Sequence, residues 1–389
     1  MPFSSDELAR YQRHLSLAGF GPEAQSALQR SRVLVIGAGG LGCPILLYLA
    51  AAGVGQLTII DGDTVDVSNL QRQILFTTAD AGQPKADTAA RRLSELNPCI
   101  AITALVARLN RANALELIRA HDVVVDGSDN FATRYLVNDA CVLADRPLVY
   151  GAIQGFEGQA SVFNLKKGPT YRCLFPEPPE PGTIPNCSEA GVLGVLPGLI
   201  GTVQATEAIK IITGIGEPLT GRLLLWNSLT MTSRTLRFTA DLASRAITDL
   251  PPEGYGATCS VQSTATGITD EITVAELRAR LFQCREFAVE ETQTLASGEG
   301  AVVATQFIDV REDWERAMGT IQPSVHVPLG LLGAEAACAA LASLDPSRET
   351  VVFCAGGVRS LRALIALRAV HQFKALRSLK GGYKSWITP

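Results

Sequence analysis

The sequence contains no Cys-x-x-Cys pair, no long apolar run and no excess of basic residues, and each absence removes a class of protein. Its 34 Lys and Arg fall short of its 38 Asp and Glu, giving a net charge of -4 and a pI near 5.7. Nucleic acids and anionic membranes recruit basic surface that displaces counterions, so neither is an expected partner. No uncharged apolar stretch reaches the length of about 18 residues that a membrane helix needs. The first residues, "MPFSSDELARYQRH", are polar throughout, unlike a secretory signal. The nine cysteines are scattered and odd in number, the pattern of a reduced, cytoplasmic protein rather than a disulfide framework. Histidine is scarce: His14, His121, His326 and His371 are all there is, and none sits in a telling loop.

What is present is apolar mass, 47% of 389 residues, enough for one large and one small domain. From about 32 to 164, short apolar runs alternate with amphipathic helical stretches. "RVLVIG", "QLTIID", "AITAL", "DVVVDG" and "PLVYGAI" read as strands, with helices such as "CPILLYLAAAGV" and "NFATRYLVNDACVLAD" between them. This alternation predicts an α/β fold with a doubly wound, mostly parallel, Rossmann-like sheet. The stretch 168–198 is rich in Pro and Gly and too long for an ordinary connection, which suggests a functional loop. Periodicity fades again near 241–270. The expected organisation is a first domain over 1–245, a linker over 246–269 and a small second α/β domain over 270–389.

"VLVIGAGGLGCP" follows the first strand with Gly37, Gly39 and Gly42 in G-x-G-x-x-G spacing. Such a turn lets backbone approach phosphate, and the helix that follows offers free N–H groups. Asp61 ends the second strand, where a carboxylate can hold ribose hydroxyls. NAD and ATP are equally served by these features. Asn69 and Arg72 follow Asp61, Lys85 opens a helix, and Asp129 and Asn130 stand at the carboxyl end of a buried strand. Adenylyl transfer needs cations around the departing pyrophosphate and an aspartate to hold Mg²⁺, whereas hydride transfer does not. The joint placement favours ATP.

In order along the chain, "RYQRH", the glycine loop, "DTVDVSNLQRQ", "GQPKA", "SDNFATRYLVNDAC", "GFEGQ" and "NCSEAGVLGVLPG" resemble the ubiquitin-activating-type adenylyltransferases. The resemblance is to molybdopterin-synthase (sulfur-carrier) adenylyltransferases of the ThiF-type fold with a fused C-terminal rhodanese domain. It implies ATP contacts from Gly40, Asp61, Ser68, Asn69, Leu70, Gln71, Arg72, Lys85, Asp129 and Asn130, with Mg²⁺ on Asp129. It also implies a homodimer in which Arg13 crosses to the other subunit's site. The acceptor would be the C-terminal Gly-Gly of a ubiquitin-like sulfur carrier protein. A cysteine desulfurase or other sulfur donor would supply the sulfur.

Three cysteines carry further expectations. Cys187 lies in the long loop, at the position of the family's adenylation-domain cysteine, which makes it a candidate catalytic thiol. Cys173 is a lone cysteine where the family has pairs that bind structural zinc, and Thr170 replaces its partner, so no zinc is expected. Cys354 heads "CAGGVRS" between a strand and a helix, with Arg359 at the end of a six-residue loop. Backbone N–H groups there stabilise a thiolate or persulfide anion. With "FIDVREDWE" and "LKGGYKSW" the segment resembles a single-domain rhodanese whose sulfur-bearing residue is Cys354, in a persulfide loop that includes Gly356, Gly357 and Arg359. One departure is Gly319-Thr320-Ile321 in place of the usual Gly-His-Ile, away from that loop.

The expected activity is adenylation of the carrier followed by sulfur transfer from Cys354 persulfide, with the linker allowing the thiol loop to reach the adenylate. Three alternatives remain: adenylation with a vestigial rhodanese domain, an NAD-dependent oxidoreductase, and a non-catalytic scaffold.

Overall fold

The computed structural model describes residues 3–178, 191–241, 243–251, 255, 270–281, 305–333 and 335–387. The chain divides into two compact units, Met1–Ser260 and Val261–Pro389. No helix among the described residues is long and apolar enough to cross a membrane.

The first unit is built on an eight-stranded sheet of order β3-β2-β1-β4-β5-β6-β7-β8. Strands β1 (Arg32–Ile36), β2 (Gln56–Ile60), β3 (Ala101–Leu105), β4 (Val123–Asp126) and the start of β5 (Leu148–Gln154) run parallel. The remaining strands, β6 (Glu157–Phe163), β7 (Arg222–Asn227) and β8 (Thr232–Arg237), extend it antiparallel. The central strands are short apolar runs buried on both faces; Val33, Leu34 and Val35 of β1 are each 0% exposed, as parallel strands covered by helices must be.

Two cores result. On one face α2 (Gly21–Arg30), α3 (Gly42–Ala52), α4 (Lys85–Leu96) and α7 (Leu196–Thr213) pack through Leu28, Leu46, Leu49, Leu93 and Ile200. On the other, α5 (Arg111–Arg119) and α6 (Phe131–Ala144) contribute Ile118, Tyr135 and Val137. Helix α3 is almost wholly apolar, "GCPILLYLAAA", because it lies in the middle of the first core. Each fully buried Leu or Ile there contributes about 1.5–3 kcal/mol. Helix α1 (Ser5–Leu15) is closed at its start by a capping box between Ser4 and Glu7 and packs on α2.

The strand order reverses between β1 and β4, since β2 leads to one side and β4 to the other. At such a switch point the loops at the strands' carboxyl ends diverge and leave a crevice. The glycine loop after β1 and the Asp129 loop after β4 both open there.

The second unit is a five-stranded parallel sheet of order β11-β10-β12-β13-β9. Its strands are β9 (Glu271–Ile272), β10 (Gln306–Asp309), β11 (Val325–His326), β12 (Thr350–Phe353) and β13 (Leu376–Leu379). Helices α8 (Asp313–Ala317), α9 (Glu335–Leu341), α10 (Val358–His371) and α11 (Gly382–Ile387) accompany them. Separate clusters around Ile308, Val352 and Leu364, and around Phe307, Val351 and Leu379, fill its two faces.

Candidate active sites

In the first unit a crevice of about 710 Å³ opens at the switch point. Its floor is the glycine loop. Gly37 adopts φ +87°, a left-handed conformation costly for a side chain, and a methyl on Gly42 would overlap the Gly37 carbonyl. These two glycines bring the start of α3 against β1 and hold the loop flat beneath the crevice.

Asp61, at the end of β2, reaches across to this loop. Its carboxylate accepts the Ala38 N–H at 2.7 Å and the Asp63 N–H at 2.8 Å. Burial pushes its carboxyl above the ordinary range, opposed by those two N–H groups and the Lys85 charge. The side chain of Lys85 is nearly buried at the start of α4, with its ammonium 3.5 Å from Asp63. Arg72 donates to the Asn69 side-chain oxygen at 2.9 Å, which fixes the guanidinium over the crevice. Asn130 caps α6 by accepting the Thr133 N–H at 2.9 Å. Asp129, beside it, lines the crevice.

The structure thus gathers Gly40, Asp61, Asn69, Arg72, Lys85, Asp129 and Asn130 around one space. Ser68, Leu70 and Gln71 do not line it. Ser68 turns its N–H and hydroxyl to Asp66 at 2.8 and 2.6 Å, and the Gln71 side chain lies against Gly194. Arg13 is exposed on the last turn of α1 and also stands outside the crevice. Cys187 lies outside the described residues, as does most of the expected linker. Sequence reasoning missed Arg108, which donates to Asp63 at 3.1 Å and lines the same crevice. It also passed over Arg134, which lines the same crevice and lies within the quoted stretch "SDNFATRYLVNDAC".

A second cavity of about 780 Å³ adjoins the first, lined by Tyr135, Tyr150, Tyr171 and Trp226, among others. Its rim includes Gln154, Glu157 and Gln159 of the β5–β6 hairpin. That hairpin bonds to the chain beyond the long loop, from Gly155 N–H to the Gly191 carbonyl at 3.1 Å. Residues of the stretch "YGAIQGFEGQ" thus line a groove that meets the switch-point crevice.

The cysteines separate by environment. Burial pushes the Cys43 thiol up to about 12 and raises Cys141 as well, so neither is a nucleophile at neutral pH. Cys173, a cysteine without a Cys-x-x-Cys partner, sits among polar groups. Its sulfur receives the N–H groups of Thr170 and Asp241, both at 3.3 Å, and lies 3.1 Å from the Ser244 hydroxyl. The side chain of Thr170 bonds Ser244 at 2.9 Å. One thiol among hydroxyls does not provide the donors of a tetrahedral zinc site. Among the described residues, no three His, Cys, Asp or Glu side chains converge for a metal.

In the second unit Cys354 directly follows β12, 1% exposed, and its sulfur accepts the Gly357 N–H at 3.1 Å. Gly357, at φ +95°, turns the chain into α10. The loop is backed by "KGGY": Tyr383 and Lys384 donate their N–H groups to the carbonyls of Cys354 and Ala355 at 2.7 and 3.0 Å. Arg359 is held by both oxygens of Glu315, from α8. Thr320, in the position of the usual histidine, donates to Asp309 at 2.8 Å and joins the buried Asp309–Arg311 pair.

Comparison with known proteins agrees with this two-part geometry. The ThiF family matches residues 11–245, and the rhodanese-like domain matches 290–388. A probable adenylyltransferase/sulfurtransferase MoeZ of Mycobacterium tuberculosis is 43% identical over 98% of this chain and 93% of its own length. A sulfur carrier protein adenylyltransferase of Thermus thermophilus is 53% identical over 61% of this chain and 89% of its own. The crystal structure of E. coli MccB with ATP shares the fold, with a TM-score of 0.54 and 22% identity over 60% of this chain and 72% of that one. The chain is an enzyme of the ThiF family, carrying a rhodanese-like domain at its C-terminal end.

Proposed function

We propose that this enzyme adenylates the C-terminal glycine of a ubiquitin-like sulfur carrier with ATP, and then converts the adenylate to a thiocarboxylate with sulfur carried on Cys354. The observation that supports this most is the convergence of the glycine loop, Asp61, Asn69, Arg72, Lys85 and Asp129 on one crevice that opens into an aromatic-lined groove.

In the first reaction a carrier carboxylate oxygen bonds to the α-phosphorus, and the bond from that phosphorus to the bridging oxygen breaks. Pyrophosphate leaves with the electron pair, and no proton need move. The glycine loop seats phosphate against backbone N–H groups, and Asp61 holds the ribose. Arg72 and Lys85 offset the charge on the leaving group, in a crevice where water is partly excluded and such charges act strongly. Asp129 would be the carboxylate that holds Mg²⁺, which would neutralise phosphate charge; a single protein carboxylate plus phosphate oxygens suits this ion.

In the second reaction a sulfur donor, such as a cysteine desulfurase, leaves a persulfide on Cys354. Its outer sulfur attacks the acyl carbon and AMP departs. A further thiol, the role assigned to Cys187, attacks the Cys354 sulfur of the acyl disulfide. The carrier thiocarboxylate leaves, and a protein disulfide remains to be reduced. A homodimer in which Arg13 of one copy completes the other's crevice accords with its exposed position on α1.

The test is ATP–pyrophosphate exchange with small ubiquitin-like proteins ending in Gly-Gly, then mass spectrometry of each with a sulfur donor. Carrier-dependent exchange and a mass gain of oxygen-to-sulfur replacement, lost in Cys354→Ala, are expected. Exchange without the mass gain would reduce the enzyme to adenylation alone; no exchange with any carrier would overturn the reading.

A further inference from the structure

Two buried hydroxyl groups stand at the base of the Cys354 loop. Ser360, in the first turn of α10, and Ser378, on β13, are both 0% exposed. Parallel pairing sets Ser378 opposite Val352, two residues before Cys354, and the helix after the loop brings Ser360 back to the same place. Ser360 Oγ lies 3.5 Å from the Cys354 sulfur, 2.8 Å from the Gly357 carbonyl oxygen and 2.8 Å from Ser378 Oγ. Ser378 Oγ lies 3.3 Å from the same carbonyl oxygen. Among the described residues, the other polar group on the sulfur is the Gly357 N–H at 3.1 Å.

Each hydroxyl has one proton to donate, and a buried polar group left unpaired is costly. Two arrangements of the same heavy atoms satisfy every group. With Cys354 as a thiol, its S–H donates to Ser360, and Ser360 donates to the Gly357 carbonyl. With Cys354 as a thiolate, Ser360 turns its proton to the sulfur, and Ser378 donates to the Gly357 carbonyl instead. Only hydroxyl protons rotate between the two. A hydrogen bond to an ionised acceptor is roughly twice as strong as one to a neutral acceptor, so ionisation of the thiol itself favours the second arrangement.

The charges around the loop supply less than their number suggests. Arg359 of α10 feels the Cys354 charge, but Glu315 of α8 grips it with both oxygens and Glu312 lies within its field. From α11, Tyr383 and Lys384 meet the loop through their backbone N–H groups. Short-range donors, the Gly357 N–H and the Ser360 hydroxyl, are left to hold an anion on the sulfur.

We infer that Ser360 is a catalytic residue of the second unit, whose hydroxyl holds Cys354 as the thiolate that takes up sulfur. Ser378 is the positioning residue that frees Ser360 for that bond. The inference rests on the proposed sulfur-bearing role of Cys354. In loading, the thiolate bonds to the outer sulfur of a donor persulfide and the donor's S–S bond breaks. The donor's inner sulfur leaves with the electron pair as a thiolate. One persulfide is exchanged for another, and no oxidant is consumed.

The experiment alkylates the full chain with iodoacetamide and follows the Cys354 peptide by mass spectrometry. Thiolate reacts and thiol does not, so the rate at about pH 7 reports how well the anion is held. Ser360→Ala should slow Cys354 about threefold to tenfold at that pH, the worth of one such hydrogen bond. At about pH 10, where an ordinary thiol ionises unaided, its rate should stay near wild type. Ser360→Thr, which keeps the hydroxyl, should retain most of the rate at both. Ser378→Ala should also slow Cys354 at the lower pH, because Ser360 must then stay on the Gly357 carbonyl. Combined with Ser360→Ala it should add nothing, since the two act as a unit. An unchanged rate at the lower pH would overturn the inference. So would a change of equal size at both pH values, which marks a disturbed loop rather than a lost hydrogen bond. Where Ser360→Ala does not fold, Ser378→Ala decides by the same two readings. A wild-type chain that gains no sulfur on Cys354 from a persulfide donor would instead count against the sulfur-bearing role, so the two failures are told apart.

Discussion

Glu315 grips Arg359 with both carboxylate oxygens, at 2.6 and 2.7 Å, so the last residue of the Cys354 loop is anchored to a different helix. Burial would raise the Glu315 carboxyl, but the hydrogen bonds from Arg359 outweigh it and hold the group below the ordinary carboxylate range. Because the folded value is depressed, the stability it contributes is fully present above the unfolded value of about 4.3 and fades as pH falls through the folded one. Glu315→Gln should cost the second unit about 1–3 kcal/mol at neutral pH. Its acid limb should also be flatter than wild type in melts from about pH 7 to about pH 3. Parallel acid limbs would assign the pH response to other groups, the depressed Asp309 first.

Gly42 sets the limit on the nucleotide loop. In Gly42→Ala the new methyl meets the Gly37 carbonyl, which is backbone and cannot swing aside. Relieving the overlap must lift the loop or tilt α3, at about 1–3 kcal/mol. The expected result is a lower melting temperature for the first unit and ATP affinity reduced about tenfold or more. Unchanged ATP affinity would mean that the loop does not touch the phosphates.

The switch-point crevice was largely legible because its parts are local. Gly37, Asp61, Lys85 and Asp129 each sit at the end of a strand or start of a helix that periodicity marks, and parallel topology then brings such ends together. The groove was not legible in that way. Tyr135, Tyr150, Tyr171 and Trp226 come from four separate segments and read individually as core aromatics. Arg134 reads as one charge on an apolar helix until tertiary packing places Phe131 and Tyr150 against it. The same holds for the Thr170–Ser244 hydrogen bond, whose partners are 74 residues apart. Thr170 in place of a cysteine marks a change in the sequence; only the fold shows that its hydroxyl meets Ser244.

Asp61 offers a cleaner separation of the two activities. Asp61→Ala removes the acceptor for the Ala38 N–H and the carboxylate placed for ribose. The KM for ATP in pyrophosphate exchange should rise about tenfold to a hundredfold. Sulfur transfer from thiosulfate to cyanide, which the proposed persulfide on Cys354 would carry out, should stay near wild type. A matching loss of both activities would indicate a global folding defect rather than a ribose contact.

The Cys173 cluster makes opposite predictions for metal and for hydrogen bonding. Burial raises this thiol, yet the Asp241 N–H, the Ser244 hydroxyl and the Thr170 groups outweigh it and bring the value below that of an ordinary cysteine. A depressed folded value means the thiolate's contribution is complete above the unfolded thiol value of about 8.5 and declines as pH falls. Cys173→Ala should therefore cost about 1–3 kcal/mol, with the larger loss on the alkaline side. Cys173→Ser, which keeps an acceptor of smaller radius, should lose less. Chelators should leave the wild-type melting temperature where it was, because thiol, hydroxyls and backbone already satisfy one another. A fall in melting temperature on chelation, restored by zinc, would show that a metal completes this cluster and that the hydrogen bonds are only its metal-free arrangement.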